Sequence, residues 1–177
     1  MHEWGSLQPY RQMSRTWATF SPDQVYRYTL GRRWDAEKPQ IAFIMLNPST
    51  ATETVSDPTI RRCIGFAKTW GFGALEVGNL FALRSTDPEA LYGHSDPIGP
   101  ENDSAILGIV SRSDKVVVAW GNHGKFKGRD KQVLGLIPHP VALKITASGQ
   151  PIHPLYVEGS VIPKDYPRLE NEVNDAI

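Results

Sequence analysis

The chain predicts an α/β fold of three layers, with helices on either side of a mostly parallel central sheet, and three observations carry that prediction. Four apolar runs, at 41–46, 74–80, 116–120 and 141–145, have the length and near-continuous apolarity of strands buried on both faces. Apolar residues at helical spacing fill stretches between them, and strand-helix alternation of this kind builds parallel sheets flanked by helices. Three of the runs end in polar tips, at Asn47, Asn79 and Gly121-Asn122, and the carboxyl edge of such a sheet is where ligands collect.

Regular structure is expected to begin at Val25. The run from Val25 to Leu30 alternates apolar and polar residues like an edge strand or hairpin arm, and Gly31 with Trp34 suggests a turn into a neighbouring extended piece. The first core strand is Ile41 to Leu46. Asp57-Pro58 then supplies a helix cap followed by proline at the first helical position; Ile60, Cys63, Ile64, Ala67 and Trp70 share one face, and Gly71 is the stop. Thr86-Asp87-Pro88-Glu89 opens a shorter helix, and Tyr92 to Pro100, rich in Gly, Pro and Asp, reads as a surface loop. Ala105, Ile106, Ile109 and Val110 mark another helix, and Gln132 to Ile137 a further one. A polar helix over 163–177 closes the chain, with Leu169 and Val173 on its buried side.

With 177 residues, no internal repeat and no low-complexity linker, 1–177 is read as one domain. Lys+Arg and Asp+Glu both number 19, so no net field advertises nucleic acid or an anionic membrane, although a local basic face is compatible with that balance. Met1-His2-Glu3-Trp4-Gly5 lacks an apolar signal core, and no run approaches the roughly 18 apolar residues that span a bilayer, so a soluble cytoplasmic protein is expected. The single Cys63 excludes an internal disulfide and a four-cysteine cluster.

Several polar residues have positions that suit a site, each with a plainer role beside it. Asn47 can orient a water or read a base edge through its carbonyl and amide, or it can satisfy its own loop; Ser49, Thr50 and Thr52 follow it on the same turn. Asn79 ends an apolar strand, where a carboxamide needs a buried partner or a ligand. Arg61 and Arg62 near the start of a capped helix suit a phosphate or a surface ion pair with Asp57 or Glu53, and Arg84 after the Asn79 strand suits a phosphate, the plainer role of that loop being a locking hydrogen bond. Prolines 151 and 154 stiffen the backbone around His153, a good mount for an imidazole that stabilises negative charge. Lys125, Lys127, Arg129 and Lys131 cluster around Phe126, as a phosphate-tracking strip or a solvated helix surface. His94, His123, His139 and His153 have no metal-ligand spacing.

Arg27-Tyr28 with Leu30, Arg32 and Trp34, Met45-Leu46-Asn47-Pro48-Ser49-Thr50-Ala51, Asp57-Pro58-Thr59-Ile60-Arg61-Arg62, Gly78-Asn79-Leu80-Phe81-Ala82-Leu83-Arg84, Ala119-Trp120-Gly121 and His153-Pro154-Leu155-Tyr156 closely resemble the bacterial family catalogued as domain of unknown function 1643, over about 25–157. The motif order is also similar, more distantly, to the uracil-DNA glycosylase superfamily. Leu46-Asn47-Pro48 resembles the motif whose Asn positions the attacking water, Val77 to Arg84 the strand whose Asn reads the base, and His153-Pro154 the motif whose histidine stabilises the departing base. The implied fold is a compact three-layer, uracil-DNA-glycosylase-like α/β domain.

That resemblance implies catalytic roles for Asn47 and His153, base contacts from Asn79 and Ser49, and phosphate contacts from Arg61, Arg62 and Arg84, with no metal or redox cofactor. The ligand is a nucleobase in nucleic acid or in a nucleotide, and the reaction implied is hydrolysis of an N-glycosidic bond. Residues 47–50 carry no acidic water activator, Pro58-Thr59 stands where a stacking Phe is usual, and Leu155 matches the duplex-opening leucine only loosely. The rival expectation is a noncatalytic reader of a modified base or nucleotide.

Overall fold

Gln40 to Met45 are six consecutive buried residues, and this apolar run is the strand around which the sheet is assembled. The computed structural model describes residues 14–167. These form strands β1 (Arg15–Phe20), β2 (Arg27–Arg33), β3 (Gln40–Met45), β4 (Ala74–Asn79), β5 (Lys115–Val118), β6 (Pro140–Ala142) and β7 (Lys164–Asp165). The helices are α1 (Pro58–Thr69), α2 (Ala90–Gly93), α3 (Asn102–Arg112) and α4 (Arg129–Leu134). The strand order is β1-β2-β4-β3-β5-β6-β7.

Side chains alternate across β3 as strand geometry requires. Ile41, Phe43 and Met45 pack with Ile60, Cys63, Phe66 and Ala67 of α1 on one face. Ala42 and Ile44 pack on the other face with Ile106 and Ile109 of α3 and Val133 and Leu134 of α4. Fully burying each such large apolar side chain is worth about 1.5–3 kcal/mol. The Asp57 carboxylate caps α1 by accepting the Ile60 N–H at 2.9 Å, and Gly71 ends the turn beyond it at φ 84°.

β3 pairs in parallel with β4 on one side and β5 on the other. The chain thus leaves β3 through α1 to reach one neighbour, and leaves β4 through α3 to reach the opposite one. Loops diverge at such a switch point and open a crevice at the carboxyl ends of the strands.

Several expectations are corrected. The sheet is mixed and not mostly parallel: β4-β3, β3-β5 and β5-β6 are parallel, whereas β1-β2, β2-β4 and β6-β7 are antiparallel. Gly31 is no turn, because β2 continues through it to Arg33 against an unanticipated β1. A Cβ at Gly31 would stand 2.0 Å from the Trp17 indole, so the glycine clears room for a ring. Strand β6 is only three residues long. The closing helix over 163–177 gives way at its start to β7, paired with β6, while Leu169 and Val173 lie outside the described residues. Among the described residues no helix is long and apolar enough to cross a membrane.

Candidate functional site

The crevice at the carboxyl ends of β3, β4 and β5 is a cavity of about 550 Å³. Asn47, Ser49, Asn79 and His153 all line it, so four of the residues singled out in the sequence share one site. Such a volume is ordinary for a small-molecule or cofactor site.

Asn47 leaves β3 on a turn that the 80–85 segment follows closely, with Leu80 N–H donating to Met45 O at 2.8 Å, Phe81 N–H to Leu46 O at 3.0 Å and Ser85 N–H to Pro48 O at 2.9 Å. Its Nδ2 donates to Ser85 O at 2.9 Å, which fixes the carboxamide and leaves Oδ1 as the free acceptor of the side chain. Loop locking and a ligand-facing acceptor therefore coexist in one residue.

Asn79 ends β4 at 2% exposure, and its Nδ2 has no hydrogen-bond partner. A donor buried without a partner costs about 1–3 kcal/mol, so its persistence on a cavity wall marks a place for an acceptor. The backbone around it is held from the far side of the sheet. Asn102 at the start of α3 is fully buried and donates through Nδ2 to Asn79 O at 2.9 Å and Leu80 O at 3.0 Å. Arg129 adds Nε to Leu80 O at 2.8 Å and an ion pair with Asp103. Arg129, grouped in the sequence with the exposed Lys125, Lys127 and Lys131, is thus an interior strut at 2% exposure.

The third strand exit is set by Gly121, whose φ of 73° and ψ of −170° lie in a region essentially confined to glycine. Its N–H donates to Pro151 O at 2.7 Å, drawing in the segment that carries His153. Trp120 lies under this turn, donating Nε1 to Gln150 Oε1 at 2.8 Å, while Gln150 Nε2 donates to Asp130 Oδ2 at 3.0 Å.

His153 is half-buried and accepts the Leu155 N–H at Nδ1 over 3.3 Å. That bond assigns the proton of the neutral ring to Nε2. Burial lowers its pKa below the ordinary histidine value, with Asp57 opposing the shift, so the ring is neutral at pH 7 and Nε2 is a donor.

The surface arginines stand elsewhere. Arg61 donates to Ser56 O, and Arg62 donates to Pro154 O and Val157 O, tying the His153 turn to α1. Arg84 donates to Gln24 O at 3.0 Å and stacks 4.9 Å over the Phe20 ring. None of the three lines the cavity. The cation that does is Arg27 of β2, at 2% exposure, a residue the sequence offered only as part of a motif. Its Nη1 donates to Ala51 O at 2.8 Å, its Nε has no partner, and burial brings its pKa down to about 10, with Asp57 opposing and Arg84 and Arg32 reinforcing the shift. An arginine in a strand otherwise read as alternating was the only signal.

Asp57 also lines the cavity, although in the sequence it reads first as a cap. It does cap α1, through Oδ1 alone. Leu155 is 44% exposed and outside the lining, whereas Tyr156, 80% exposed, is on the rim. The Cys63 thiol is fully buried, and burial pushes its pKa upward, which removes it as a nucleophile.

Comparison with curated proteins and with solved structures gives no match. A family model described as protein of unknown function (DUF1643) matches residues 27–155, from the buried Arg27 to the turn after His153, and the chain belongs to that family.

Proposed function

We propose that this pocket binds a nucleobase, in nucleic acid or as a nucleotide, and that the chain is a uracil-DNA-glycosylase-like hydrolase of an N-glycosidic bond. The observation that carries the reading is the Asn79 carboxamide, 2% exposed and unpartnered at Nδ2, on the wall of a cavity shared with Asn47 and His153. A carboxamide offers a donor and an acceptor side by side, which is what a base edge requires. Helices on both faces of the sheet are in keeping with the three-layer fold that the glycosylase resemblance implies.

In this reading the Asn47 carbonyl holds a water against the anomeric carbon, and Asp57, on the same cavity, takes the water's proton as its oxygen bonds to carbon. The carbon-nitrogen bond breaks with its electron pair leaving on the base. His153 Nε2–H then stabilises the negative charge where it develops. Asn79 and Ser49 hold the base, and the Tyr156 ring on the rim is available for stacking.

Free-base release is measured at protein excess from DNA carrying deoxyuridine, mismatches or modified bases. The expected result is release that falls about 10²–10³-fold in His153→Ala, the usual cost of removing a group that stabilises transition-state charge. Release unchanged in His153→Ala overturns the mechanism. The rival is a reader, suggested by the absence of an acid beside Asn47 within 47–50; it would bind such substrates, release no base and lose affinity in Asn79→Ala.

A further inference from the structure

Arg27 poses a problem that base recognition leaves unsolved. A guanidinium carries five N–H donors, and here it is 2% exposed with one hydrogen bond, from Nη1 to Ala51 O. Among the described residues no carboxylate stands at ion-pair distance from it. Propping the loop at Ala51 needs one neutral donor and gives no reason for a buried charge. The other arginine buried to the same degree, Arg129, is treated differently: it has an ion pair with Asp103 and bonds to Leu80 O and Gln132.

The surroundings of Arg27 deepen the imbalance. The burial of Arg27 outweighs the favourable charge of Asp57, which Arg84 and Arg32 each oppose to a smaller extent, and one oxygen of Asp57 is engaged in capping α1. The unpartnered buried atoms on the cavity lining are Arg27 Nε and Asn79 Nδ2, and both are donors. An acceptor-rich anion satisfies such a pair; a neutral ligand would leave the cation without an ion-pair partner.

We infer that the inner part of this pocket is an oxyanion site, with Arg27 as its cation and one of the two N–H bonds of Asn79 Nδ2 as a neutral donor, the other remaining for a base edge, so that the natural ligand carries a phosphate or carboxylate group. The site is defined without reference to a base. It replaces the surface arginines Arg61, Arg62 and Arg84 as the anchor for a phosphorylated ligand, since their guanidinium groups sit on backbone carbonyls outside the cavity.

The test titrates the folded wild-type chain with inorganic phosphate, with acetate, and with a nucleoside and its 5′-monophosphate, at constant ionic strength, following the side-chain amide signals of Asn79 and the guanidinium signal of Arg27 by nuclear magnetic resonance. Saturable shifts at both residues with phosphate, or with acetate, are expected, and which anion binds tighter identifies the source. At least tenfold tighter binding of the monophosphate than of the nucleoside is expected if the ligand is a nucleotide, and Arg27→Gln removes the anion response while Arg84→Gln keeps it. Asn79→Asp, which sets a like charge against the anion, serves the same purpose should Arg27→Gln fail to fold. Absence of a response to both phosphate and acetate overturns the inference, as does a response that survives in Arg27→Gln or Asn79→Asp. A phosphate response without nucleoside binding upholds the oxyanion site and sinks the nucleobase reading instead.

Discussion

Two buried charges at different places on the same sheet are handled in opposite ways. Glu76, in the middle of β4 and 1% exposed, accepts from Arg112 Nη2 at 2.8 Å and Nε at 3.2 Å, from Gln40 Nε2 at 2.9 Å and from Trp17 Nε1 at 3.3 Å. Both carboxylate oxygens are thereby supplied, by β1, β3 and α3 together. Arg27, on the neighbouring β2, has one bond and an empty Nε. Satisfaction on one side and shortage on the other separate a girder from a receptor: the Glu76 carboxylate that holds the sheet is paired at both oxygens, whereas Arg27 Nε and Asn79 Nδ2 on the crevice wall are short of partners for a ligand to supply.

The comparison breaks most visibly at Arg112. Glu76 is buried but Arg112 is itself 54% exposed, so Arg112→Ala leaves a buried carboxylate with fewer donors while solvent screens part of the loss, and it is expected to destabilise the fold by about 2 kcal/mol with Gln40 and Trp17 still reaching Glu76. Urea unfolding monitored by circular dichroism measures it, and a loss below about 1 kcal/mol would erase the contrast. Asn79→Ala runs the other way. It deletes a donor that has no partner, so stability should change by less than about 1 kcal/mol in the same assay while affinity for the base falls, because the removed penalty offsets the lost packing.

The smallest expected effect is one of pH. Burial lowers the His153 pKa in the fold, so the unfolded chain binds a proton first as pH falls below about 6.5, and stability drops through that window. Melting temperature should therefore decline less between pH 7 and 5.5 in His153→Gln than in the wild type. Parallel declines would show that His153 is as well accommodated when charged as when neutral.

Much of the site was legible because strand ends announce themselves. An unbroken apolar run that stops at Asn47 or Asn79 locates a buried strand and its exit at once, and Asp57-Pro58 marks the start of α1 in the same direct way. What escaped depends on partners distant in sequence. Gly31 reads as a turn until Trp17 is seen against it, since a local pattern cannot tell a glycine that bends the chain from one that makes room. Arg129 looks solvated among lysines until its bond to the buried Leu80 carbonyl, 49 residues away, and its ion pair with Asp103 are seen. The antiparallel edges were missed for a similar reason: alternation reveals a strand, but its direction is decided by how the chain returns to it.

The carbonyls of Asn79 and Leu80 are held from below by Asn102 and Arg129. The wall of the crevice is consequently tuned from the opposite face of the sheet, by residues that a ligand never touches. Grafting the three strand exits onto another scaffold would carry over the chemistry and lose the alignment. Conversely, substitutions in the first turn of α3 or α4 offer a way to shift the Asn79 amide by fractions of an ångström while every ligand-facing side chain stays as it is, a remote adjustment of selectivity built into the wiring of the sheet.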